Sequence, residues 1–158
     1  MATKTTTKDD EEPGPRNFGV LLSQMDGGEL LKTPASIRFV SAEPLLEKVD
    51  ISPWLYRGVE EARPGDPDYD AIDWVIVGGE SGPRSRAFEL GWARAIRDQC
   101  KEAGAAFFMK QAGSSPRTRD ALGGLGVLKL RKSKGGDLEE LPEDLRVREF
   151  PKEASCPS

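Results

Sequence analysis

The chain has 158 residues, a net charge of −4 and no histidine. Without histidine, this chain cannot form a Ser-His-Asp or Cys-His nucleophile pair, an HExxH zinc site or an imidazole general base. Catalysis by the chain alone would depend on Glu, Asp, Lys or Cys side chains or on a cofactor. The negative net charge also argues against nucleic acid as a partner, because such binding needs a basic face that neutralises phosphates.

One cluster of basic residues stands against this negative background. Lys129, Arg131, Lys132 and Lys134 lie close together in the sequence. A solvated run of charge is the favoured interpretation of such a cluster, and a local basic patch is the alternative. The cluster therefore gives no indication of a nucleic-acid site.

Composition also indicates where the protein works. No apolar run approaches the roughly 20 residues of a membrane span, and the N-terminus lacks the apolar stretch of a signal peptide. The two cysteines, Cys100 and Cys156, lie far apart in the sequence. That arrangement suits a reducing compartment and forms no metal-binding motif. We expect a cytoplasmic protein without a membrane partner.

The first elements in chain order are an arm, a helix and a strand. Residues 1–16 contain almost nothing to bury, so we expect a disordered arm there. Apolar residues at helical spacing over 18–31 predict a helix, which an Asp-Gly-Gly sequence at 26–28 interrupts. Residues 36–41 are rich in β-forming side chains and predict a strand that Pro44 ends.

The next part of the chain contains the clearest strand. Residues 51–56 predict one short helical turn, and the turn-forming residues of 63–68 predict a surface loop. Residues 72–77 form a nearly continuous apolar run, which is typical of a strand covered on both faces. The segment that connects the predicted strands at 36–41 and 72–77 is long, and a crossover of that length without a clear helix is unusual.

A helix and a further strand follow. Apolar residues at helical spacing predict a helix over 93–103, with Gly104 just after its end, and residues 105–109 predict a short buried strand. With the preceding strand they form a strand-loop-helix-strand unit, which is almost always a right-handed parallel crossover. Farther on, residues 138–145 predict a turn or short helix and residues 146–150 a short edge strand.

Polar residues follow each of the three predicted strands. Because the carboxyl ends of parallel strands meet at one rim, where such folds place ligands, these residues are the site candidates. The candidates for acid and base chemistry are Glu43, Glu80 and Lys110, and the candidates for ligand binding are Gly78, Gly79, Glu80, Ser81, Arg84 and Gln111. The alternatives are a structural ion pair between Glu43 and Lys110, and a tight turn at the glycines with Glu80 in solvent. We predict no metal site.

Four ordered stretches resemble a known family. TPASIRFVSAEPLL at 33–46, IDWVIVGGESGPRSRAF at 72–88, WARAIRDQCKEAGAAFFMKQ at 92–111 and KGGDLEELPEDLRVREFP at 134–151 are similar to the phage gene-product thirty-seven/sixty-eight family, a domain of unknown function. The resemblance covers most of the chain from about Leu30 onward. It implies a TIM-barrel-like fold related to radical S-adenosylmethionine enzymes, whose longer members carry an N-terminal cysteine cluster for [4Fe–4S].

The resemblance also implies a ligand site and a metal cluster. In this chain, Gly78-Gly79-Glu80 is similar to the element with which radical S-adenosylmethionine enzymes hold the amino group of S-adenosylmethionine. S-adenosylmethionine and [4Fe–4S] are therefore expected in full-length members, whereas Cys100 and Cys156 alone cannot hold a cluster, and no cofactor is expected in this chain.

Together these observations predict the C-terminal part of a TIM-barrel-like α/β domain, with an open parallel sheet of about three strands and flanking helices. We expect the arm at 1–16, the α/β core at 17–113 and an irregular extension at 114–158. The leading hypothesis is a fragment that is catalytically inactive alone. One alternative is a ligand- or partner-binding module that completes a barrel with a separate, cysteine-bearing N-terminal barrel half. Another is a cofactor-free acid/base enzyme that uses the candidate carboxylates and Lys110.

Overall fold

A computed structural model describes residues 30–31, 35, 37–55, 71–120, 122–132 and 134–151. The predicted arm at 1–16, most of the predicted helix at 18–31 and the predicted loop at 63–68 lie outside these residues. Leu30 and Leu31 are helical and pack against the hydrophobic core. The predictions for this part of the chain are therefore tested only at its end.

The core of the fold is an open parallel sheet of three strands. β1 is Phe39–Ala42, β2 is Trp74–Gly78 and β4 is Ala106–Gln111. They lie in the order β1-β2-β4 and run parallel, with Phe39 beside Trp74 and Trp74 beside Ala106. The predicted open, partial barrel-like sheet is confirmed. β1 begins later than predicted, because the backbone of Arg38 already bonds to Asp73 through that residue's side chain and backbone amide.

Two helices lie on one side of this sheet. α1 is Ser52–Leu55 and α2 is Leu90–Ala103. The buried face of α2 belongs to the same core as Val75, Val77, Phe107 and Met109 of the strands. α2 ends at Gly104, whose φ of 74° places it in the left-handed region that glycine adopts without strain. The predicted helix and its end are confirmed, and the helix starts three residues earlier than its apolar spacing indicates.

The opposite side of the sheet has no helix among the described residues. Phe39 of β1, Trp74 and Ile76 of β2 and Phe108 of β4 share this side, since the strand register places them at positions of equal parity. Phe150, from the end of the described chain, packs onto Trp74 and Phe108 with ring centroids 5.6 and 5.5 Å apart. We call these five residues the open face.

A second, smaller sheet follows the first. β3 is Phe88–Glu89, β5 is Pro116–Arg119 and β6 is Leu125–Val127. β5 pairs parallel with β3 and antiparallel with β6. The sequence did not predict β5 or β6, because their polar side chains and exposed apolar ones show no alternation that a core would impose.

The end of the described chain returns to the first sheet. Two 3-10 helices, Leu138–Glu140 and Glu143–Leu145, occupy the region predicted as a turn or short helix. Arg148 then forms an antiparallel bridge with Phe108, and Met109 N–H and Glu149 N–H each donate a backbone hydrogen bond across this junction. The predicted edge strand at 146–150 is thus present as a single bridge that covers the outer edge of β4.

Among the described residues, no helix has the length and apolar character needed to cross a membrane.

Candidate functional site

The carboxyl ends of the three parallel strands bring Glu43 and Lys110 together. Lys110 Nζ lies 2.8 Å from Glu43 Oε2, and Ser41 Oγ donates to the same oxygen at 3.0 Å. The Glu43 side chain is only 16% exposed, whereas that of Lys110 is 55% exposed. The pair therefore has a partly buried anion beneath a cation that reaches solvent. Sequence reasoning missed Ser41, although its place two residues before Glu43 on the same strand side was a usable signal.

The second carboxylate oxygen of Glu43, Oε1, makes packing contacts and no hydrogen bond among the described residues. Oε1 is buried and has no hydrogen-bond partner among the described residues. It lies against Gly78, where a side-chain Cβ would overlap this oxygen. The peptide bond from Glu43 to Pro44 is cis. Gly78 therefore serves the rim by leaving room for the Glu43 carboxylate.

Gly79, Ser81 and Gln111 form a second group next to this pair. The Gly79 N–H donates to the Gln111 carbonyl at 3.0 Å, and Gln111 Nε2 donates to the Gly79 carbonyl at 3.1 Å and to Ser81 Oγ at 3.0 Å. A Cβ on Gly79 would overlap the backbone carbonyl of Ala112. Three of the predicted ligand-binding residues thus lie together, and they join β2 to β4 beyond the strands.

Glu80 is turned into its own loop. Its carboxylate accepts hydrogen bonds from Arg86 N–H at 3.0 Å and from Arg86 Nε at 2.7 Å. These hydrogen bonds hold the pKa of Glu80 below its usual range. Its carbonyl accepts from Ser114 N–H at 2.8 Å. Arg84 is exposed with a φ of 63°, whereas Arg86 contacts the Glu80 carboxylate.

The described residues do not fit [4Fe–4S], which needs several thiolates close together. They contain no group of three or more His, Cys, Asp or Glu side chains placed to hold a metal. Burial, together with the charge of Glu149, raises the pKa of Cys100 to about 12, so its thiol stays protonated near neutral pH. Cys156 lies outside the described residues.

The polar groups of Gly78-Gly79-Glu80 form hydrogen bonds with other residues of the chain. Gly78 carbonyl accepts from Leu45 N–H at 2.9 Å, and both backbone groups of Gly79 and the Glu80 carboxylate have partners within the chain. In this structure these groups therefore make their contacts within the chain. Binding of an S-adenosylmethionine amino group there stays a prediction.

The fold and the rim define an α/β protein with an open parallel sheet and a cluster of polar side chains at its carboxyl edge. Residues 22–145 match the model of a family described as "Protein of unknown function (DUF5131)", and the chain belongs to that family. Searches of curated proteins and of solved structures gave no match.

Proposed function

We propose that this domain is a partner-binding module, whose open face is covered by a polypeptide that adds parallel β-strands next to β1 and extends the sheet into a partial barrel. The observation that carries the proposal is the aromatic open face. Phe39 is 53% exposed and Phe150 is 68% exposed, although both rings lie in one aromatic cluster. Contiguous exposed apolar surface of this kind marks interaction sites.

The energy available from covering this face is substantial. An aromatic side chain buries roughly 150–250 Å² in a core, so covering the exposed part of Phe39 would remove about 100 Å² from water. At roughly 25 cal/mol per Å², that area contributes about 2.5 kcal/mol, and Phe150 would contribute a similar amount.

The topology indicates the edge of the sheet at which the partner adds its strands. β1 is an edge strand of the sheet, and no described residue pairs with its outer edge. The outer edge of β4 is covered by residues 147–149. Strands in sequential parallel order with helices on one side are typical of barrels, in which the other side faces inward. A parallel strand from the partner therefore fits next to β1.

The family resemblance suggests what such a partner would bring. It would be an N-terminal barrel half that carries the cysteines for [4Fe–4S] and a share of the S-adenosylmethionine site, since the described residues supply no cluster ligands. In this proposal the module is inactive alone. Its Glu43–Lys110 pair, with Gln111 and Ser81, would stand at the carboxyl rim of the extended sheet, where these folds bind ligands.

The proposal is tested by co-expressing the full chain with the N-terminal, cysteine-bearing segment of a longer family member. We expect a one-to-one complex by light scattering after size-exclusion chromatography. Phe39→Asp and Phe150→Asp each place a charge on the open face and should weaken the complex by at least tenfold. Leu122→Asp is the matched control, because Leu122 is almost fully exposed and lies outside the open face.

Two measurements keep the outcome clear. Far-UV circular dichroism establishes that each variant is folded, and hydrogen exchange of the complex should show new protection of the β1 amides at 39–42. Absence of a complex with the wild-type chain, or a complex that Leu122→Asp weakens as much as Phe39→Asp does, would contradict the proposal.

A further inference from the structure

A pocket outside the rim lies beside the Arg148 bridge to β4. Its other side is the C-terminal loop, the segment that carries Arg131, Lys132 and Lys134. It is an open pocket of about 770 Å³. Its charged lining consists of Arg131, Lys132, Lys134, Arg148 and Asp137. Four cationic side chains thus face one carboxylate, in a chain whose net charge is −4. We call this the basic pocket.

Only two of the four cations are neutralised by acidic partners among the described residues. Lys132 Nζ lies 2.9 Å from Asp137 Oδ2, and Arg131 Nε lies 3.3 Å from Glu140 Oε1. Lys134 and Arg148 have no carboxylate partner in the described part of the chain. Four positive charges against these two negative charges leave a surplus of two. Like charges gathered in one pocket attract an anion that offsets them.

Arg148 is held in place within this pocket. Its Nε donates to the Met109 carbonyl at 3.1 Å, and its Nη2 donates to the Lys110 and Gly136 carbonyls at 2.9 and 3.0 Å. Its guanidinium also lies 5.4 Å from the centre of the Phe108 ring. The N–H groups of Nη1 have no acceptor among the described residues. A fixed guanidinium with unused donors loses little conformational freedom when an anion binds.

We propose that the basic pocket binds a small molecule that carries two or more phosphate groups. The surplus of two charges matches more than one anionic group, and the volume is within the roughly 300–1,000 Å³ of small-molecule sites. Arginine and lysine are the side chains that bind phosphate, through paired donors and through point charge respectively. Leu138 is the sole apolar side chain in the described lining, so recognition rests on charge.

This inference goes beyond the proposed function, because it rests on the charges of the C-terminal loop and needs no barrel partner. It also gives three residues of the basic cluster, Arg131, Lys132 and Lys134, a binding role. The test therefore uses variants in the loop, with one variant of the open face as a control.

The experiment is calorimetric titration of the full chain with inorganic pyrophosphate at low ionic strength. We expect saturable binding that Lys134→Ala weakens about tenfold, since this change removes an unpaired pocket charge. Lys129→Ala is the matched control: Lys129 is exposed and close in sequence but does not line the pocket, so its loss should change the affinity less than twofold.

A variant with the opposite effect separates charge from folding. Asp137→Asn removes the lining carboxylate and keeps an oxygen that can accept from the Glu139 N–H, so we expect severalfold tighter binding. A damaged fold would not produce that gain.

The proposal is overturned by absence of saturable heat, by equal losses in Lys134→Ala and Lys129→Ala, or by binding of single-stranded RNA without binding of pyrophosphate. Phe39→Asp should leave the pyrophosphate affinity unchanged, which makes this test independent of the barrel partner.

Discussion

At the scale of single residues, two glycines with similar backbone angles have different reasons to be glycine. Gly104 has a φ of 74° and ends α2, and an added Cβ would meet nothing within 4 Å. Gly113 has a φ of 72°, but an added Cβ would overlap the Glu80 carbonyl and lie 2.7 Å from the Gly79 carbonyl carbon. Gly113 is therefore required both by its angle and by close backbone packing under the rim.

This contrast gives a stability prediction. Gly104→Ala should lower the free energy of unfolding by about 1 kcal/mol, the cost of the left-handed conformation for a residue with a Cβ. Gly113→Ala should lower it by about 2–4 kcal/mol, because the backbone must also move to relieve the overlap. Urea denaturation of the two variants measures both values. Equal losses would show that the approach of Gly113 to the Glu80 loop does not constrain the fold.

The rim shows how far sequence reasoning reaches for single residues. The meeting of Glu43 with Lys110 follows from the rule that parallel strands end at one edge, and the structure brings the two together. The bonds of Arg86 to Glu80 depend on the path of a loop, and the anchoring of Arg148 depends on a chain that returns from 39 residues away. No local pattern specifies such returns, so these contacts are visible only in the structure.

At the scale of elements, one carboxylate joins the second 3-10 helix to α2. Asp144 Oδ2 lies 2.7 Å from Arg94 Nε and 2.7 Å from Arg97 Nη1, and the Asp144 carbonyl accepts from Arg97 at 2.8 Å. These two arginines hold the pKa of Asp144 at about 2. The ion pairs thus fix the segment that carries Leu145 into the core.

The depressed pKa predicts an acid-sensitive contact. A carboxylate with a lowered folded-state pKa stabilises the fold above its ordinary pKa, near 3.8, and loses that contribution as the pH falls toward about 2. Because the Asp144 side chain is 44% exposed, solvent screening limits the effect to about 1 kcal/mol. Urea midpoints of wild type and Asp144→Asn should differ at pH 5 and converge near pH 2. Glu143→Gln, at a neighbouring carboxylate without an ion pair among the described residues, should not show this convergence.

The elements that sequence reasoning predicted are those whose apolar residues enter the core. The strands β1, β2 and β4 and the helix α2 each bury a continuous or periodic apolar set, so their patterns were visible. β5 was not visible, because Arg117, Thr118 and Arg119 resemble a loop in composition. Its pairing with β3 comes from tertiary placement, which overrides weak local preference.

At the scale of the whole molecule, the main sheet is apolar on both sides but covered by helices on one. Such a surface binds the dye 8-anilinonaphthalene-1-sulfonate while the protein remains folded. We expect strong dye emission from the native chain, and a clear decrease when Phe39→Ser and Phe150→Ser are combined, because the two most exposed rings of the open face are then lost. Fluorescence titration of native protein measures this directly.

The control for the dye experiment is again Leu122, an exposed leucine away from the open face. Leu122→Ser should leave the emission unchanged. Equal emission from the native chain and the double variant would show that the dye binds elsewhere, and circular dichroism would establish that both proteins are folded.

The bridge between Arg148 and Phe108 has a consequence for how many molecules can join. A sheet with two free edges can add chains at both and grow without limit into fibrils. Residues 147–149 block one edge through the Met109 and Glu149 amides, so strand addition is left to β1 alone. In the proposed complex, this chain therefore offers one edge of the main sheet to its partner, which favours a discrete heterodimer over a polymer.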